Sequence, residues 1–322
     1  MKRVLISLAI LMLASPLAHS DIDLTRTTLR QYILKLINTD RALYNLPPVE
    51  LDVKTSTLGD EYCERQIENG TNGHFTTDGL TPYMRYSFAG GNDGVSENAA
   101  AWSANYAFNE RALYEMARRS EDAMMAEMPP DDGHKRTILD PYATHVGIGL
   151  AWEDGEFRLV HEFVRRYIAW TKPLPRRAHV LDPVIASGRP LRDDVEVHAI
   201  SVHHEKVPEA MPAHVANAFE SYSLPETRRD YLPRLPQEYR LRNNRTLEIV
   251  RREYANGSRG DFYVGKDGSF SFDIPFTEGP GVYTVVVWMK KKGTQKQFPA
   301  SNISIRVEQP VSAPLRASTI AR

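Results

Sequence analysis

The sequence predicts an α+β fold in two parts, and three observations carry that prediction. In the first half, apolar residues recur at helical spacing, as at Leu29, Ile33, Leu36, Ile37 and Leu43. From Val146 to Val164 the pattern turns to a pair of strands joined by Glu153-Asp154-Gly155, residues suited to a hairpin turn. Beyond Pro173 to Pro190, a stretch without periodicity that holds four prolines, only strand patterns remain. Helices mixed with strands, then strands alone, predict a mixed domain followed by a small all-β, immunoglobulin-like sandwich.

The first twenty residues read as a secretory signal. Lys2-Arg3 is a basic start, Val4 to Ala14 is apolar, and Ala18-His19-Ser20 places small residues where a signal peptidase cuts. The apolar run is too short to cross a bilayer, and no cysteine follows it to carry a lipid anchor. The expectation is a secreted or periplasmic protein, cleaved after Ser20, with no membrane span once the signal is removed.

A first helix is expected from Leu24 to Tyr44, stopped by Leu46-Pro47-Pro48. Val49 to Asp52 is a short extended link, with Asp52 the N-cap of a helix that runs through about Glu68. Asn69 to Gly73 ends that helix and leads into His74. Pro82 to Ser87 reads as a helical turn, and the loop Gly90 to Gly94 delivers Val95-Ser96-Glu97-Asn98. Phe108 to Met125 is a long helix with Leu113, Met116, Ala117 and Met124 on its apolar side. Pro129-Pro130 bars helix and Asp131-Asp132-Gly133 is turn chemistry, so His134 stands at a loop edge. Val146-Gly147-Ile148-Gly149-Leu150 alternates apolar residues with glycine, the pattern of a strand that a neighbouring backbone approaches closely.

In the second half the expected strands are Val195 to Val202, Leu247 to Tyr254, Ser269 to Ile274, Val282 to Met289 and Ile303 to Val307. Val282 to Trp288 is apolar at nearly every position, as in a central strand covered on both faces. The expected division is a signal segment at 1–20, a mixed domain at 21–175, a linker at 176–190, a β-sandwich at 191–310 and a disordered tail at 311–322.

With 322 residues the chain is longer than one hydrophobic core usually supports. Its 40 basic and 41 acidic residues leave no global field for nucleic acid or acidic lipid. Cys63 is the only cysteine, so an exported chain of this kind is held by packing and not by disulfides. Its place in the pattern Leu58, Tyr62, Cys63, Ile67 is that of a small buried hydrophobe, with no neighbouring base to activate a thiol.

Local catalytic signatures fail. His161-Glu162 and His204-Glu205 begin like a zincin helix, but the residue completing each is Arg165 or Pro208. No nucleophile elbow or phosphate-binding glycine loop is present. His198, His203 and His204 read as surface histidines of a strand.

The run GHKRTILDP from Gly133, followed by HVGIG from His145, resembles the pattern GHRxNILxP…GVG of bacterial CAP-superfamily domains. That group includes the cysteine-rich secretory and plant pathogenesis-related proteins. INTDRALYNLPPVELD at Ile37 to Asp52, GHFTTDGLTPYMR at Gly73 to Arg85 and GVSENAA at Gly94 to Ala100 follow the same family order. The resemblance covers roughly residues 25 to 170 and implies an α-β-α sandwich. It also implies a cleft tetrad of His74, Glu97, Glu127 and His134, although many bacterial relatives lack the carboxylate at Glu127. Eukaryotic members are disulfide-rich, a feature this chain does not share.

Two imidazoles with one or two carboxylates suit a divalent transition metal, zinc above all, with His74 and His134 as ligands. The family is known for binding sterols, lipids and cations and for contacts with other proteins, with no agreed reaction. The resemblance therefore implies a binding or interaction protein. Its cleft would hold a cation and a small apolar or lipid ligand, and its C-terminal domain would engage a protein or cell-envelope partner. The alternative is a metal-assisted hydrolase of protein or cell-wall substrates, with Glu97 or Glu127 as general base. A serine hydrolase built on Ser96 ranks below both, because no oxyanion arrangement is visible.

Overall fold

The first helix is closed by Asn45, left-handed at φ 56°, and Pro47 and Pro48 beyond it set the chain running along the edge of a sheet. The computed structural model describes residues 16–236, 238–242, 246–250 and 252–310. The start of the signal segment and the tail at 311–322 lie outside the described residues. Helix α1 (Pro16–Leu43) leads to strand β1 (Glu50–Leu51) and helix α2 (Val53–Asn69). Asp52 caps α2 by accepting the Thr55 N–H at 2.9 Å, and Gly70 closes it at φ 65°, a left-handed position that glycine adopts freely. Then come α3 (Pro82–Phe88), β2 (Gly94–Ser103), α4 (Glu110–Ala126), α5 (Gly133–Ile138), β3 (His145–Glu153) and β4 (Glu156–Arg165).

These strands form one sheet in the order β1-β3-β4-β2, with β1 parallel to β3 and the other pairs antiparallel. Asp154 and Gly155, at φ 43° and 86°, make the two-residue turn between β3 and β4. One face of the sheet carries Val146, Ile148, Leu159 and Phe163 against Leu29, Ile33 and Leu113 of α1 and α4. The other face meets α2, where Tyr62 and Cys63 pack on Val160. At that contact the backbones nearly touch: a Cβ on Gly149 would stand 2.2 Å from the carbonyl carbon of Gly59. Arg41, fully buried at the end of α1, donates to the carbonyls of Ile138 (2.7 Å) and Asp140 (2.9 Å) and so pins the end of α5.

The stretch expected to be a linker is instead built into the second unit. Strands β5 (Ile168–Lys172), β6 (Arg177–His179) and β7 (Ile185–Pro190) come before β8 (Val195–Glu205). β7 pairs with β5 and, further along the chain, with β13, so the β-structure begins at about Ile168 and not at 191. Gly188 and Pro190 hid β7, since both are uncommon in strand interiors. Helix α6 (Ala213–Ala216) follows, then β9 (Arg228–Tyr231), β10 (Glu238–Arg242), β11 (Thr246–Val250), β12 (Tyr263–Val264), β13 (Phe270–Asp273), β14 (Gly281–Lys291), β15 (Gln297–Pro299) and β16 (Ile303–Glu308).

One sheet has the order β12-β13-β7-β5. The other has the order β6-β16-β14-β8-β9, with β15 also on β14. Ala186, Phe270 and Phe272 from the first share an apolar cluster with Ile200, Val285, Val287 and Ile305 from the second. The unit is therefore a two-sheet sandwich, with the β10–β11 hairpin standing apart as its own ribbon. The strand expected from Leu247 to Tyr254 is part of that ribbon and ends at Val250. Among the described residues, no helix is long and apolar enough to cross a membrane.

The outer face of the larger sheet covers one side of the first domain. Tyr83, Met84, Val95, Val164 and Val282 form an apolar cluster shared by the two units. Asn302 lies in this joint, where its side chain accepts the Val95 N–H at 2.9 Å and donates to the Val95 carbonyl at 2.8 Å. Ser87 Oγ accepts the Ser304 N–H at 2.9 Å, and Gly94 N–H reaches the Ala300 carbonyl at 3.0 Å. Asn302→Ala leaves a buried donor and acceptor of Val95 unpaired together and is expected to destabilise the protein by about 2–4 kcal/mol. Urea unfolding measures it, and an unchanged midpoint would remove the joint from the stability of the fold.

Candidate functional site

α2 fixes the approach to His74. Tyr62 Oη and Gln66 Nε2 both donate to the Gly73 carbonyl at 2.7 Å, so the loop that leaves the helix is clamped just before the histidine. Arg85 of α3 donates from Nη1 to the His74 carbonyl at 2.6 Å. The imidazole is buried and pairs through Nδ1 with Glu97 Oε1 at 2.8 Å. The second Glu97 oxygen accepts from Arg85 Nη2.

Glu97 stands in the middle of β2 and not at the end of a loop, directly opposite Glu162 of β4. Two buried carboxylates and one guanidinium cannot all be charged without leaving a net negative charge in a dry space. Burial first, then the facing Glu97, raises Glu162 far above the usual carboxylate range, so Glu162 keeps its proton. Burial also raises Glu97, and Arg85 opposes that rise. Burial and then Arg85 push His74 down to about 4, which leaves a neutral imidazole at neutral pH.

The second half of the site hangs on a short helix. His134 lies in the first turn of α5, not in the loop before it. Glu127, the residue that closes α4, accepts from both backbone and ring. Its Oε2 takes the N–H of His134 at 2.9 Å and of Lys135 at 3.3 Å, and its Oε1 pairs with His134 Nδ1 at 2.5 Å. One carboxylate thus caps α5 and orients the ring it carries. The His74 and His134 rings lie 6.3 Å apart between centroids. The structure therefore brings His74, Glu97, Glu127 and His134 together as two histidine–carboxylate pairs.

Tyr222, from the segment between β8 and β9, was not suggested by sequence. Its Oη accepts the Glu97 N–H at 2.6 Å, and its ring meets the His74 ring edge-to-face at 4.9 Å. The segment is tied down on both sides of the cleft. Asn217 bonds to Asn72 N–H and the Gly70 carbonyl, both at 3.0 Å, and Met211 N–H donates to the Thr77 carbonyl at 2.7 Å. Phe219 packs on Phe75 at 4.8 Å. Nothing near Tyr222 in the chain marks it, because its partners lie more than a hundred residues away. Arg85 and Glu162 were visible only as parts of longer runs.

Other expectations resolve simply. Cys63 is fully buried and its thiol is pushed well above its ordinary value by that burial, so it is a packing residue. His203 is buried and bonds to the Pro225 carbonyl at 2.7 Å, contrary to the expectation of a surface position, because the segment that leads into β9 lies against it. His198 and His204 are partly exposed on the same strand, outside the cleft.

Residues 34–163 match the family model described as CAP, the cysteine-rich secretory protein family. They form a CAP domain. A solved structure of an extracellular protein containing an SCP domain, from Bacillus anthracis str. Ames, is similar at 19% identity with a TM-score of 0.30. The likeness covers 42% of this chain and 40% of that one, so this chain spans less than half of its length. No curated protein matches. All four cleft residues fall inside the CAP span, as do Arg85 and Glu162, whereas Tyr222 comes from the β-sandwich that follows it.

The donor set bears on whether a metal fits. Among the described residues, no group of three or more histidine, cysteine or acidic side chains is placed to hold an ion. In the CAP cleft only the two imidazoles would be ligands. Their carboxylates sit on Nδ1, and among the described residues neither Nε2 has a protein hydrogen-bond partner. An imidazole that donates Nδ1–H to a carboxylate presents its Nε2 lone pair outward, the usual arrangement behind a metal ligand.

The shift on His74 makes a stability prediction. A group at about 4 when folded and 6.5 when unfolded contributes stability that is full above 6.5 and is lost as pH falls through 4. In the presence of a chelator, wild type should lose about 2–3 kcal/mol more than His74→Gln between pH 7.5 and 4.5. Denaturant unfolding of both at the two pH values checks this, and parallel losses would contradict it.

Proposed function

We propose that the chain is an exported CAP-domain binding protein whose cleft holds one divalent cation, zinc first, between Nε2 of His74 and Nε2 of His134. Water or a ligand would complete the coordination. The observation that carries this reading is the double histidine–carboxylate pairing, in which each Nδ1 is engaged by a carboxylate and the two rings lie 6.3 Å apart between centroids. Export rests on the basic, apolar and small-residue order of Met1 to Ser20. The CAP domain supports the coarse class of binding or interaction protein.

The same pairing argues for binding over metal-assisted hydrolysis. Glu97 is engaged at one oxygen by His74 and at the other by Arg85, and Glu127 by the His134 ring and by two backbone N–H groups. Each carboxylate oxygen of the tetrad already accepts a hydrogen bond, which lowers its basicity toward a bound water and makes it a poor general base. Tyr222 and the Phe75–Phe219 pair cover the His74 side, so a ligand reaches the cation from the side of His134 and Glu127, the more exposed pair. A small apolar or lipid ligand there, and a protein or cell-envelope partner for the β-sandwich, belong to the same proposal.

Calorimetric titration with zinc tests it on single variants of the full mature chain. His74→Ala and His134→Ala should each weaken binding at least tenfold, while His198→Ala and His204→Ala leave it unchanged. Equal affinity in all four would make the cleft histidines braces for their loops.

A further inference from the structure

Where the two units meet, at the edge of the apolar cluster that holds Tyr83 and Val282, the joint leaves a cavity of about 370 Å³. Its walls come from both units. Leu80 and Phe88 line it from the CAP side and Val207 and Val282 from the sandwich, while Arg176, Arg177 and Arg306 line it with guanidinium groups. None of His74, Glu97, Glu127 and His134 reaches it.

Strand register gathers the arginines. Arg177 of β6 is the partner of Arg306 of β16, and Arg306 that of Val282 of β14, so the three stand in one row on the sheet face that meets the CAP domain. Like charges directly opposite each other are unfavourable in a sheet. One carboxylate serves both: Glu308 Oε1 lies 3.2 Å from Arg306 Nε and 3.8 Å from Arg177 Nη1. It leaves the nearer group unsatisfied, since Arg306 Nε is buried and makes no hydrogen bond. Arg176 has no carboxylate partner among the described residues. Its Nη groups donate to the Leu174 and Gly91 carbonyls and to Asn92 Oδ1. Glu205, next in the row beyond Val282, is engaged by Tyr83 Oη at 3.2 Å. With Asp78 on the CAP wall and Glu308 beside the arginines, the three guanidinium groups exceed the carboxylates at the cavity by one charge.

We propose that this cavity binds a single-chain aliphatic carboxylate, its head on Arg306 and Arg177 and its chain against Leu80, Phe88, Val207 and Val282. A guanidinium presents paired N–H donors that match the two oxygens of a carboxylate. One negative charge balances the excess, whereas a phosphate monoester, at about −1.5 to −2 near neutral pH, overshoots it and leaves the apolar wall unused. A volume of about 370 Å³ is near the lower end of the range for small-molecule sites, roughly 300–1,000 Å³, and suits one short chain in place of a two-chain lipid. The bound acid touches both units and holds them together. The site is separate from the histidine cleft and does not depend on a metal there.

Calorimetric titration of the full mature chain in EDTA, with sodium octanoate as the probe, tests this. One octanoate should bind per chain and raise the melting temperature, while acetate, the head alone, and octanol, the chain alone, bind at least about tenfold more weakly. Arg306→Gln should weaken octanoate binding by about tenfold or more through loss of a charge-assisted contact. Arg177→Gln, at an exposed position, should weaken it in the same direction and decides the matter if Arg306→Gln fails to fold. The double variant His74→Ala, His134→Ala should bind octanoate as wild type does. The proposal is overturned if wild type shows no saturable binding, if acetate or octanol binds as tightly as octanoate, if the folded arginine variants keep wild-type affinity, or if the cleft double variant loses binding.

Discussion

Arg85 lies between two buried carboxylates, and removing it would leave Glu97 and Glu162 facing each other without the cation that separates them. Its guanidinium sits over the Tyr62 ring at 3.5 Å, so it also ties α2 to the sheet through a cation–π contact. It further holds the His74 backbone. The ring can then point at its partner only because Glu97 is fixed, and Glu97 is fixed because Arg85 and a protonated Glu162 leave it one place to sit. A residue three positions after Pro82 thus decides the geometry of a histidine that the chain delivers from a different element.

The cleft is also a product of both units. The CAP span supplies two histidines and their carboxylates, but the Glu97 N–H is capped by Tyr222 from the sandwich, and the loop carrying His74 is strapped by Asn217 and Met211. The sandwich is in turn anchored to the CAP domain by Asn302 and the shared cluster around Tyr83 and Val282. These contacts make the second unit part of the site and not an appended module. They also set which side stays open, the one bearing His134.

The parts of the fold that were legible in sequence were those governed by local rules. The Asp52 cap, the Asp154-Gly155 turn and the approach of a backbone at Gly149 each follow from the chemistry of one or two residues, and each stands where the sequence placed it. The strand Val282 to Trp288 was readable for the same reason, since a strand flanked on both sides needs no polar face. What escaped depends on partners distant in the chain. β7 survives its glycine and proline because β5 and β13 pair on either side of it. His203 is buried against the distant segment that carries Pro225, and Tyr222 joins the site only once the sandwich docks.

Chemical access to His74 reports on that dependence on docking. Tyr222→Ala removes the ring that meets the His74 edge without touching a residue of the CAP tetrad. Modification by diethyl pyrocarbonate, followed residue by residue by mass spectrometry, should find His74 slow in wild type and at least tenfold faster in Tyr222→Ala, with His198 reacting equally in both. An unchanged rate at His74 would mean that the sandwich lies beside the cleft without closing it.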